Sequence, residues 1–214
     1  MEPTVSGVGV LDKSVAVLDA VAASPRTLAE LVTATGLSRA TCHRLAVALE
    51  AHGLVRRDTE GRFTLGLRLI GLGRAASDRW PLAEAARPAL VWLRETTGES
   101  VQLYVRDGEH RRCAVSFPSS HGLRWMVSEG ALLPLHVGSA GRVLSGESGP
   151  GGWVETVEER EPGVASVSAP VEVAGAGVLA AVSIGGPVDR LTRSPGTRFG
   201  ATVVAAAGDI AAGL

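Results

Sequence analysis

The chain has 214 residues, more than a usual single domain and too few for three, so two domains of unequal size are expected. Apolar residues at 45% and charged residues at 20% exclude a disordered chain, and a formal net charge of −1 leaves the choice of partner to local charge clusters. The start Met1-Glu2-Pro3-Thr4 lacks a secretory pattern and Asp209 interrupts the apolar tail from Ala201 to Leu214, so a cytoplasmic chain without a membrane span is expected.

From Leu11 the apolar residues Leu11, Val15, Leu18 and Val21 recur at helical spacing, which predicts a first helix ended by Ser24-Pro25. Thr27 with Glu30 three residues on forms a capping-box pattern for a second helix, closed at Gly36. Ser38 caps a third. Its apolar face is Cys42, Leu45, Ala46 and Leu49, and the opposite face carries Arg39, Ala40, His43, Arg44 and Val47. Guanidinium groups there suit phosphate oxygens or the O6/N7 edge of guanine. Leu54 to Arg57 and Arg62 to Leu65, around Asp58-Thr59-Glu60-Gly61, read as a hairpin.

Helix, short helix, turn, helix and basic hairpin is the order of a winged helix-turn-helix, in which the last helix enters the major groove of double-stranded DNA and the wing touches backbone. Three helices with surface arginines occur in many domains that bind no DNA; the arginine-bearing hairpin favours DNA. Between Gly36 and Arg74 seven Arg stand against three acids, the local excess that a phosphate-facing surface requires.

Residues 76–97 predict a linker helix, with Leu82, Ala85, Ala86, Ala89, Leu90 and Leu93 on one stripe and Gly98 at its end. Strands are expected at 101–105, 112–116, 123–127, 164–171 and 178–184, making the second domain a sheet with helices. In Ser166-Val167-Ser168 and Ala181-Val182-Ser183-Ile184, hydroxyl and aliphatic groups alternate, so one face can bury and the other can hydrogen-bond. Spacing alone favours serines that merely meet water.

Cys42 and Cys113 stand outside any metal-ligand or disulfide spacing, and neither a metal nor a cofactor is expected. For an enzyme, His110, His121 and His136 would have to join the serines or acids, yet no GxSxG, HExxH, GxGxxG or GxxxxGK[ST] is present. His136 is expected to pack or to stand on a pocket rim.

The run Gly36-Leu37-Ser38-Arg39-Ala40-Thr41-Cys42-His43-Arg44-Leu45 with Gly53-Leu54-Val55 resembles the DNA-binding domain of the IclR family of transcriptional regulators. Leu133-Pro134-Leu135-His136-Val137-Gly138-Ser139-Ala140-Gly141-Arg142 resembles that family's effector domain, and Gly152-Trp153, Ala169-Pro170-Val171 and Ser183-Ile184-Gly185-Gly186-Pro187 resemble its closing strands. The resemblance implies an α+β chain: a winged helix-turn-helix over 1–75, a linker helix over 76–97, and a GAF-like α/β effector-binding domain over 98–214. It implies a homodimer or tetramer on operator DNA, more often repressing than activating.

DNA-binding positions then fall on Ser38, Arg39, Ala40, Thr41, His43, Arg44, Arg56, Arg57 and Arg62. Carried over from the family, effector contacts fall on Ser139, Ala140, Thr156, Ser166, Ser183 and Gly185, with Trp125 as an apolar wall. Backbone N–H groups at a helix start near Ser139 would favour a carboxylate. Glu159 to Ser166 and Arg190 to Gly196 look most like actinobacterial regulators of amino-acid metabolism, associated with leucine biosynthesis, which points to an amino acid or related carboxylate. Relatives carry a longer, mostly helical connection where this chain has only a glycine-rich connector at 145–152. That departure keeps open a winged-helix protein-interaction module that has lost sensing.

Overall fold

The structure, a computed structural model, describes residues 6–77 and 80–214. The chain divides into two compact units, Met1–Ala76 and Ser77–Leu214.

The first unit holds α1 (Gly9–Ala23), α2 (Leu28–Thr35), α3 (Arg39–Ala51), β1 (Val55–Arg57), β2 (Phe63–Leu65) and α4 (Arg68–Ser77). Thr27 and Glu30 close a reciprocal capping box: the Thr27 N–H donates to Glu30 Oε2 at 2.7 Å and the Glu30 N–H to Thr27 Oγ1 at 3.3 Å. The Thr27 N–H and the Thr27 hydroxyl, both donating to Glu30 Oε2, hold the Glu30 carboxyl below its ordinary value. Gly36 ends α2 at φ 67°, a left-handed turn that a β-carbon would strain. Two antiparallel strands form the wing, and paired backbone bonds between Arg26 and Phe63 tie it to the segment entering α2.

The core of this unit is Val17, Val21, Leu31, Cys42, Ala46, Leu49, Val55 and Phe63. Of the stripe expected on α1, Leu18 and Val21 do pack into this core, joined by Val17, whereas Leu11 and Val15 are 53% and 46% exposed. The helix has more apolar residues than one face needs, and α2 and α3 cover only the Val17–Val21 side.

The second unit contains α5 (Pro81–Thr97), β3 (Ser100–Asp107), β4 (His110–Phe117), β5 (Leu132–Pro134), α6 (Ser139–Leu144), β6 (Val154–Val157), β7 (Val164–Val173), β8 (Gly177–Pro187), α7 (Val188–Leu191) and α8 (Pro195–Ala212). Six antiparallel strands run in the order β5-β4-β3-β8-β7-β6. On one face α5 and α8 bury Val101, Leu103, Val115, Val167, Val182 and Ile184. The helix expected as a linker therefore contributes Leu82, Ala83, Ala86, Leu90 and Leu93 to this core. On the other face α6 packs on Tyr104, Cys113, Val154 and Ala181.

No strand forms at 123–127. The free edge of β4 is taken instead by residues 130–134, where Cys113 bonds backbone to backbone with Gly130 and Ala131, and β5 pairs Arg112 with Leu132. Leu123 and Met126 are left exposed, and Trp125 and Val127 turn inward. The expected connector at 145–152 is a set of tight turns, with the Gly146 N–H bonded to Val143 O and the Gly152 N–H to Gly149 O, both at 2.9 Å.

Candidate functional site

Burying Cys42, Ala46 and Leu49 turns Arg39, Ala40, His43, Arg44 and Val47 of α3 to solvent as one continuous face. Ser38 accepts the Thr41 N–H at 3.3 Å, and the two hydroxyls bond at 3.0 Å, so Ser38 and Thr41 fix the helix start.

The wing arginines differ in what surrounds them. Arg57 lies 4.2 Å from the Phe63 ring centroid and 3.4 Å from Glu50. Arg62 is 3.0 Å from Asp58 and 3.2 Å from Glu60, and Asp58 also accepts the N–H groups of Glu60 and Arg62, so this arginine braces the turn. Arg56 is exposed and pairs with no acid among the described residues, which leaves its charge for an external anion.

In the second unit the alternation of β7 and β8 sends aliphatic groups toward α5 and α8 and hydroxyls toward α6. Ser139, the first residue of α6, bridges them: its Oγ lies 2.8 Å from Ser166 Oγ and 2.7 Å from Ser168 Oγ. Thr156 Oγ1 accepts the Ser139 N–H at 3.1 Å and lies 3.0 Å from Ser166 Oγ, and Ser168 donates to Ser183 at 2.9 Å. This row of hydroxyls floors a narrow pocket whose lining includes Trp125, Ser139, Ala140, Thr156, Ser166, Ser183 and Gly185, all seven positions singled out from the sequence. Trp125, stacked under the Arg160 guanidinium at 4.5 Å, roofs it. A β-carbon at Gly185 would reach Trp125 Cδ1 at 3.4 Å, so glycine leaves room beneath the indole.

The pocket also contains residues the sequence reading missed: Gln102 and Tyr104 of β3, and Arg111 of β4. In Val101-Gln102-Leu103-Tyr104, Gln102 and Tyr104 alternate with Val101 and Leu103, the signal that they face away from α5. Arg111, between His110 and Arg112 in a short basic run, carried no such mark. Its guanidinium lies over the Tyr104 ring at 5.4 Å, and burial pulls its pKa below the ordinary arginine value. Burial likewise raises the Tyr104 hydroxyl, and pushes the Cys113 thiol up to about 12, so Cys113 is an unreactive core group.

Two of the donors expected at the start of α6, the N–H groups of Gly138 and Ser139, are engaged within the protein. Ser139 N–H is held by Thr156, and Gly138 N–H donates to Glu159 Oε1 at 3.3 Å. His136 is exposed rather than packed, and lines a separate surface hollow with His110 and Glu109. Among the described residues no helix is long and apolar enough to cross a membrane, and no cluster of His, Cys, Asp or Glu could hold a metal ion.

Two family profiles match the chain: the IclR helix-turn-helix domain at residues 10–59 and the C-terminal domain of the bacterial transcriptional regulator IclR at 147–212. The HTH-type transcriptional regulator KipR of Bacillus subtilis is 32% identical over 133 residues, 62% of this chain and 53% of KipR, so this match spans about half of the relative's length. The glycerol operon regulatory protein of Streptomyces griseus is 28% identical over 220 residues, 85% of each chain. Among solved structures, an IclR homologue from Microbacterium hydrocarbonoxydans, crystallised with 4-hydroxybenzoate, shares the fold with a TM-score of 0.78 at 20% identity, over 96% of this chain and 98% of that one. With both family domains recognised in order around the winged helix and the sheet, the chain belongs to the IclR family of DNA-binding transcription regulators.

Proposed function

We propose that the protein is a repressor that binds operator DNA as a homodimer or tetramer, and that a small carboxylate, an amino acid or a branched-chain biosynthetic intermediate, enters the pocket and alters that binding. One observation carries the sensing part: a row of hydroxyls is turned into the protein on the face of the sheet opposite its apolar core, where packing alone would place aliphatic groups. The relative crystallised with 4-hydroxybenzoate supports the same chemistry, since that compound is also a small carboxylate. The amino-acid reading rests on the segments Glu159 to Ser166 and Arg190 to Gly196. For DNA, the solvent face of α3 and the free charge of Arg56 support major-groove reading flanked by backbone contact.

The ligand acts by preferring one arrangement of the paired winged helices, because equal affinity for both would shift nothing. Fluorescence anisotropy with the DNA upstream of the protein's own gene, titrated at several salt concentrations and with leucine, valine, methionine or isopropylmalate, tests the reading. Salt-sensitive binding that one of these compounds shifts supports it. Affinity indifferent to salt and to all four compounds overturns it.

A further inference from the structure

Arg111 and Gln102 bring to the pocket hydrogen-bond donors that the protein itself does not satisfy. Arg111 is 3% exposed, and its Nη1 donates to the carbonyls of Pro134 and Val137. Its Nε is buried without a partner, and Nη2 makes no hydrogen bond among the described residues. The acid in the same wall, Glu159, is held elsewhere, by Arg142 at 3.6 Å and by the Gly138 N–H. Glu159 still favours the charge of Arg111 through space, but among the described residues no carboxylate stands at ion-pair distance, and a buried guanidinium without such a partner is costly unless an anion arrives. On the neighbouring strand Gln102 is 1% exposed and its Nε2 is likewise without a partner.

The guanidinium is also fixed in place. A β-carbon at Gly138 would stand 3.2 Å from Nη2 and one at Gly141 2.5 Å from Nη1, so these glycines let the arginine lie under α6, while Tyr104 supports its face. Such a preset planar donor group matches a carboxylate better than a lone ammonium would.

We propose that Arg111, with the Gln102 amide beside it, anchors the carboxylate of the pocket's ligand, and that the row Ser139, Thr156, Ser166 and Ser183 takes a hydroxyl, keto or amino group on the same small molecule. The proposal rests on the pocket being the effector site. It places the anion at Arg111 rather than at the N–H groups of Gly138 and Ser139, which already have acceptors.

Calorimetric titration of the full chain with lactate, leucine and 4-hydroxybenzoate, each beside its primary amide, tests the anchor without altering the protein. At least one acid is expected to bind, and its amide to bind about tenfold to a hundredfold more weakly, the size of a lost charge-assisted hydrogen bond. Arg111→Gln and Gln102→Leu should weaken the acid toward its amide, Arg111→Lys should recover part of the difference, and Ser166→Leu should remove binding of both. An acid and amide bound equally, with binding still lost in Ser166→Leu, overturns the anchor and leaves the pocket standing. Should Arg111→Gln fail to fold by circular dichroism, the acid-to-amide ratio of the unaltered chain decides. Binding of none of the six compounds overturns both readings.

Discussion

The indole of Trp153 lies directly on the bare backbone of Gly200, so that a β-carbon on that glycine would overlap the ring. Gly196, one turn earlier on α8, and Gly151 border the same ring, and the Gly196 N–H donates to Glu155 Oε2 at 2.6 Å. The short connector thus ends in an aromatic plug seated in a glycine notch, which fixes where β6 begins and with it Thr156 in the pocket.

Gly200→Ala should therefore destabilise the second unit by about 1–3 kcal/mol, the usual cost of overpacking a core that cannot yield. Urea unfolding followed by circular dichroism measures it. Unchanged stability would mean that the ring can move aside and that the notch does not set the position of β6.

Much of this architecture was legible in the sequence. The capping residues Thr27, Glu30 and Ser38, the left-handed Gly36 and the solvent face of α3 follow from local chemistry, because a helix end and its spacing are decided within a few residues. The alternation in β7 and β8 separated hydroxyl from aliphatic faces for the same reason. What stayed hidden depends on distant partners. Nothing near Arg111 announces that it will be buried beneath α6, since its burial is made by Gly138 and Gly141 some thirty residues away. The segment 123–127 alternates like a strand, but the only free edge of β4 goes to residues 130–134. On α1 the apolar residues extend beyond one face, and tertiary packing took Val17, Leu18 and Val21 and left Leu11 and Val15 outside.

Arg44→Ala and His43→Ala should each weaken operator binding by about 1–3 kcal/mol, because both project from the exposed side of α3, and a base contact is worth that much. The loss should be concentrated on the specific sequence and small on unrelated DNA. An anisotropy titration that finds both variants unchanged would remove α3 as the reading helix.

On the wing Arg56 and Arg62 should separate. Arg56→Ala should lower affinity on every sequence and reduce the slope of log affinity against log salt by about one ion, as one lost phosphate contact does. Arg62→Ala should instead loosen the Asp58–Arg62 turn, with a smaller effect on the slope, because its charge is already shared with Asp58 and Glu60. Equal slopes for the unaltered chain and Arg56→Ala would show that the wing does not engage phosphate.

Assembly follows from what the first unit leaves uncovered. Val8, Leu11 and Val15 at and on α1, and Leu67, Ile70 and Leu72 at and on α4, are large apolar side chains left exposed, Leu67 by 70%, so each of the two helices offers apolar surface to a partner. A second copy is the partner that a DNA reader needs, since two recognition helices spaced about 34–36 Å apart, or a multiple of that, read two half-sites where one reads only a few base pairs. Leu11→Glu combined with Ile70→Glu would place charges within an apolar interface and should shift the protein toward monomer, with operator affinity falling in parallel and the thermal stability of each unit little changed. Light scattering across a concentration series, beside the DNA titration, measures both effects. A native chain that is monomeric at micromolar concentration and binds DNA as a monomer, or a double variant that dimerises as well as the unaltered chain, would place the interface elsewhere or remove it.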